Sequence, residues 1–135
     1  MKVTRTIPVT SDEFYDCIET EVMQHTQSKK IHSGLTYNIL NKKSGINTTV
    51  HIIEYTRHLC YSFTFSSLSE NITISYHTEE TDDGLKIKME QIIDGYETKK
   101  MNKIFKWFSD GVYLGRMTDT IFEMQKKIEK QRKVV

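Results

Sequence analysis

The sequence predicts an α+β fold in which a curved antiparallel sheet of about six strands grips one long C-terminal helix. Three observations lead there. From Leu35 to Glu90, short runs alternate apolar and polar residues, as strands with one dry and one wet face do. Turn signals separate these runs at hairpin spacing. The stretch from Glu97 to Lys130 is apolar at helical spacing, and at roughly 30 residues and about 45 Å it alone is long enough to cover a sheet.

The elements follow in order. Lys2 to Val9 has β-branched residues and reads as a strand, which Pro8 limits to an edge or an end. Thr10 caps a helix, and Glu13, three residues on, completes a capping box. Phe14, Cys17, Ile18, Val22 and His25 form its apolar face, while Glu13, Asp16, Glu19 and Glu21 make the other side acidic. Gln27 to Gly34 reads as a loop or a short second helix. Leu35, Tyr37 and Ile39 alternate as a strand, Lys42-Lys43-Ser44-Gly45 is a turn, and Thr48 to Tyr55 is the next strand. After a turn at Thr56-Arg57, Leu59, Tyr61, Phe63 and Phe65 point one way, and Cys60, Ser62, Thr64 and Ser66 the other. Ser67 to Glu70 is a turn. Ile72, Ile74 and Tyr76 alternate with polar residues, Asp82-Asp83-Gly84 signals a hairpin, and Leu85, Ile87 and Met89 alternate with Lys86, Lys88 and Glu90.

Within the last helix, Trp107, Leu114, Met117, Ile121, Met124 and Ile128 share one face. Met101, Ile104, Phe105, Phe108 and Val112 fall on nearly the opposite one. Two readings fit the change of side at Ser109-Asp110-Gly111. The preferred one is a helix break, since Gly111 weakens a helix and Ser109 or Asp110 can cap a new one. The other is an unbroken helix with one face on the sheet and the other on a second subunit. The basic end, Lys126 to Lys133, suits a helix C-terminus without any membrane or phosphate.

A chain of 135 residues is one domain, here 1–135, and needs neither metal nor disulfide to hold it. A net charge of +1 is not the footprint of a nucleic-acid binder. Lys103, Lys106 and Arg116 beside Phe105, Trp107 and Tyr113 read as an ordinary amphipathic helix. Cys17 and Cys60 read as buried free thiols. With no signal-peptide run and no membrane span, the expected location is the cytoplasm. Zinc-type ligand pairs, phosphate-binding glycine loops and nucleophile elbows are missing from the sequence. His51, His58 and His77 read as surface histidines, and Glu79, Glu80, Asp82 and Asp83 as a solvated turn. No metal, cofactor or catalytic residue is expected.

The aromatic dry face is the candidate site. Tyr37, Tyr61, Phe63, Phe65 and Tyr76, with Met89, should sit beneath the helix that carries Trp107. Such a face is either a packed core or the wall of a small-molecule pocket. The first expectation is therefore a non-enzymatic module that binds a small apolar or amphipathic ligand. The alternative is a homodimer with a filled core, joined through the C-terminal helix. An enzyme is disfavoured because the dry strand positions offer only tyrosines.

Three stretches, MKVTRTIPVTSDEFYD, NITISYHTEETDDGLKIKMEQ and KIFKWFSDGVYLGRMTDTIFEMQKKIEK, carry a resemblance to a bacterial family of domains of unknown function, typical of Gram-positive bacteria. The element order resembles the helix-grip, START-like superfamily of lipid-transfer domains, polyketide cyclases and birch-pollen allergens. The resemblance implies that fold and a ligand-accepting geometry. It also implies a supporting role in sugar uptake, through genes encoded near sugar phosphotransferases. It brings no catalytic residue.

Overall fold

The computed structural model describes residues 1–26, 30–40, 45, 47–67, 70–93 and 103–133, with the backbone path alone for 67, 70 and 103–114. The elements are β1 (Lys2–Ile7), α1 (Ser11–His25), β2 (Thr36–Leu40), β3 (Asn47–Thr56), β4 (Cys60–Ser67), β5 (Glu70–Thr81), β6 (Gly84–Ile93) and α2 (Lys103–Arg132). The strands form one curved antiparallel sheet in the order β1-β6-β5-β4-β3-β2, covered on one face by the two helices. This is the α+β arrangement read from the sequence.

Local chemistry sets the start of α1. β1 stops before Pro8, and the Val9 N–H donates to the Ile7 carbonyl at 2.8 Å. The Thr10 hydroxyl accepts from the Glu13 N–H (3.1 Å) while the Glu13 carboxylate accepts from the Thr10 N–H (2.9 Å), the expected capping box. A third orphan donor, the Ser11 N–H, is taken by Glu80 from the β5 end of the hairpin at 2.9 Å, so Glu80 does more than solvate a turn. Along α1, Phe14, Cys17, Ile18 and Val22 are buried as expected; Tyr15, outside the expected stripe, is buried too and bonds the Thr78 hydroxyl at 2.7 Å. His25 is exposed at the helix end.

Three expectations need correction. Leu59 is not a strand residue pointing inward. It lies in the Arg57–Leu59 turn and is 57% exposed, because His58 takes a left-handed backbone (φ 73°) that ends β3 before β4 begins at Cys60. Residues 30–34 form no helix, so of the two readings there the loop holds and the short second helix does not; Gln27, Ser28 and Lys29 lie outside the described residues, as do Lys42-Lys43-Ser44. Finally, α2 runs unbroken from Lys103 to Arg132. One glycine costs a helix interior only about 1 kcal/mol relative to alanine, which a long cooperative helix absorbs. The expected start of this helix, Glu97 to Asn102, lies outside the described residues.

The acidic side of α1 is paired rather than merely solvated. Arg57, from the β3–β4 turn, bonds Asp16 (2.8 Å), Asp12 (3.2 Å) and Glu19. Lys127 of α2 bonds Glu21, and Arg132 bonds both Glu13 (2.6 Å) and the Pro8 carbonyl (3.0 Å). Met117, Ile121 and Ile128 of α2 are buried with α1 and the sheet in one core.

A candidate ligand site between the sheet and the helices

The dry face is fully packed toward β1 and β6 and open toward β2. Register explains which residues meet there. Tyr61 lies directly opposite Tyr76, Phe63 opposite Ile52 and Ile74, and Phe65 opposite Val50, which is itself opposite Tyr37. Along this row Tyr61 and Phe63 stack at 4.9 Å, Phe63 and Phe65 at 6.2 Å, and Tyr61 and Tyr76 at 6.4 Å. Above the rings lies a half-open cavity of about 600 Å³. Among the described residues, the sheet lines it with these aromatics plus Ile39, Thr48, Val50 and Ile74. Helix α1 adds Ile18, Glu21, Val22, Gln24 and His25, and α2 adds Thr120, Glu123, Met124 and Lys127. His25 and Tyr37 lie parallel at 6.1 Å, joining α1 to the edge strand.

Five of the expected ligand residues are thus brought together: Tyr37, Tyr61, Phe63, Phe65 and Tyr76. Met89 shares their face but is 2% exposed in the sealed core and does not line the cavity, because β6 lies where α1 and α2 close on the sheet. The side chain of Trp107 lies outside the described residues. The sequence reading missed the polar contribution of the helices. By sequence pattern Glu21 falls on a solvated face and Lys127 in a basic tail; only their opposite charges hint at a pairing, and 106 residues separate them.

The polar groups are few and mostly neutral. Burial pushes the Tyr61 and Tyr76 hydroxyls well up, with the neighbouring Tyr37 adding to Tyr61 and the Glu21 charge adding to Tyr76. Burial raises Tyr37 as well, partly offset by the nearby Tyr61 hydroxyl. All three stay protonated at neutral pH and act as hydrogen-bond donors. The bond to Glu21 raises Lys127 above the ordinary lysine range. Glu21, Gln24 and Lys127 also line a second groove of about 350 Å³ between α1 and α2, with Cys17. Burial raises the Cys17 thiol, so it is not a thiolate.

Two other clusters carry less. Ser11 Oγ meets His58 Nδ1 at 2.7 Å, and His58 Nε2 meets Asp12 at 3.2 Å. Ser11 is 5% exposed and lines no described cavity, so this chain of contacts ties the β3–β4 turn to α1. His51 bonds Thr36 at 2.9 Å. Among the described residues, no group of three or more His, Cys, Asp or Glu is placed to hold a metal ion. No described helix is long and apolar enough to cross a membrane.

The fold recurs in solved structures of low sequence identity. DynU16, from the dynemicin biosynthetic locus, superposes with a TM-score of 0.68 at 10% identity, covering 96% of this chain and 46% of that one. This chain therefore spans about half of DynU16. Protein MLL2253 from Mesorhizobium loti gives 0.65 at 12% identity, covering 97% and 96%. Ara h 8.0201 gives 0.64 at 11% identity, covering 96% and 97%. These likenesses show a helix-grip, START-like fold. No curated protein matches the sequence. The sequence profile of DUF3284, a domain of unknown function, matches residues 1–114, and the chain belongs to that family.

Proposed function

We propose that the domain is a non-enzymatic module that holds a small apolar or amphipathic molecule between its sheet and its helices. One observation carries this reading: a half-open, aromatic-lined cavity of about 600 Å³, within the range of roughly 300–1,000 Å³ usual for small-molecule sites. The chemistry around it favours binding over catalysis. Its hydroxyls stay protonated, and Glu21 and Lys127 are committed to each other. The family resemblance supports a place beside sugar uptake in bacteria. Pairing of two copies through α2 rests on the apolar pattern of Phe105 to Leu114 and is compatible with a bound guest.

Native mass spectrometry of the purified protein, with titration of the neutral dye N-phenyl-1-naphthylamine, tests the binding reading. A co-purifying small molecule, or dye fluorescence that saturates at one site per chain, is expected. A protein that carries nothing through purification and leaves the dye dark overturns it.

A further inference from the structure

The binding reading leaves the guest's polar chemistry open, and Tyr76 narrows it. Its side chain is 4% exposed, with Phe14 at 5.9 Å and Tyr61 at 6.4 Å between ring centres. No described residue hydrogen-bonds its hydroxyl, whose surroundings are burial and the charge of Glu21. Among the described residues no sealed side-chain polar atom lacks a partner, so this oxygen opens onto the cavity that Tyr76 lines. Facing the cavity, this phenol has a hydrogen to give and no acceptor among the described residues, a position that a guest's oxygen can fill. The Tyr37 and Tyr61 hydroxyls, by contrast, lie near enough to perturb one another.

The mouth sets the guest's charge. Its charged described residues are Glu21, Glu123 and Lys127. Lys127 is bonded to Glu21 and feels Glu123 as well, so an entering carboxylate meets a surplus of negative charge and no uncommitted cation among these. Moving a free carboxylate past them to the tyrosine floor would add a desolvation cost with no counter-charge to offset it.

We infer, on the basis of the binding reading above, that the guest is an uncharged molecule with a carbonyl oxygen set on the Tyr76 hydroxyl and an apolar body along Tyr61, Phe63 and Phe65. A carbonyl suits the Tyr76 hydroxyl because it accepts a hydrogen without bringing one of its own that needs an acceptor.

Three probes with one ring system test this by equilibrium dialysis: 2-acetylnaphthalene, 2-ethylnaphthalene and 2-naphthoate. The ketone is expected to bind the native protein about five- to tenfold more tightly than the ethyl compound, one net hydrogen bond's worth, and the carboxylate more weakly than either. In Tyr76→Phe the ketone and the ethyl compound should bind alike. Equal binding of those two to the native protein, or tightest binding by the carboxylate, overturns this inference and leaves the binding reading standing. Failure of all three to bind overturns this inference, and overturns the binding reading as well where nothing co-purifies and the dye also stays dark. Should Tyr76→Phe not fold, the infrared carbonyl stretch of the ketone bound to native protein decides. A shift to lower frequency than in hexane supports the hydrogen bond, and an unshifted band overturns it.

Discussion

Truncating Phe63 and Ile121 separately distinguishes an open cavity from a packed core. Ile121, on α2, is 0% exposed within the core. Ile121→Ala removes buried carbons from a sealed site, and such changes cost about 2–5 kcal/mol, part of it for the hole left behind. Phe63 is only half-buried. It rests on Ile52 and Ile74 across the strands and on Tyr61 and Phe65 along β4, with the cavity on its remaining side. A fully packed phenylalanine cut to alanine would cost about 3–5 kcal/mol. Here the space vacated merges with volume already open, so only the transfer cost of the buried part of the ring remains, about 1–2 kcal/mol. Urea unfolding followed by circular dichroism, with the slope held common, measures both variants. If Phe63→Ala loses as much stability as Ile121→Ala, the ring is packed on every side and the cavity does not exist in solution.

Other outcomes follow from single residues. Gly84→Ala places a methyl 2.3 Å from the Ile7 carbonyl oxygen at a backbone φ of +134°, and thermal unfolding should show a loss of about 3 kcal/mol, from strain at a disallowed φ and displacement of β1. The Arg132 hydrogen bond and the Thr10 N–H hold the Glu13 carboxyl down to about 2, against an ordinary value of 4.5. A depressed carboxyl stabilises the folded state above its unfolded value, so stability should fall as pH drops from about 4.5 toward 2, and Glu13→Gln should flatten that limb of a stability–pH curve. Cys17 and Cys60 are buried with thiols pushed up by burial, so Ellman's reagent should label neither quickly until urea unfolds the chain.

What was legible in the sequence was local. Thr10 and Glu13 lie three residues apart, so their capping box could be read directly. Asp82-Asp83-Gly84 announced the hairpin, and the alternation around Tyr61, Phe63, Ile74 and Tyr76 placed them on one face. What escaped was long-range. Glu80 caps α1 from 69 residues away, and Arg57 gathers Asp12, Asp16 and Glu19 from a turn 38 to 45 residues on. No spacing rule reports such pairs. Met89 was misplaced for the same reason: alternation tells which face a side chain takes, not how far along the sheet the helices close over it. The continuity of α2 escaped because Ser109, Asp110 and Gly111 are individually poor helix residues, while the outcome belongs to the whole helix.

The sheet's last strand, β2, is five residues long and is laddered to β3 alone. Tyr37 and Ile39, part of the cavity's rim, stand on it. Every other strand in that wall is bonded on both sides, so bending it would break two ladders at once. Drawing β2 aside sacrifices one short seam. Tolerance for bulky guests is therefore lopsided: a longer molecule displaces this border strand before it strains β5. Across a series of lengthening guests, affinity should decline in gentle steps instead of collapsing at one critical size.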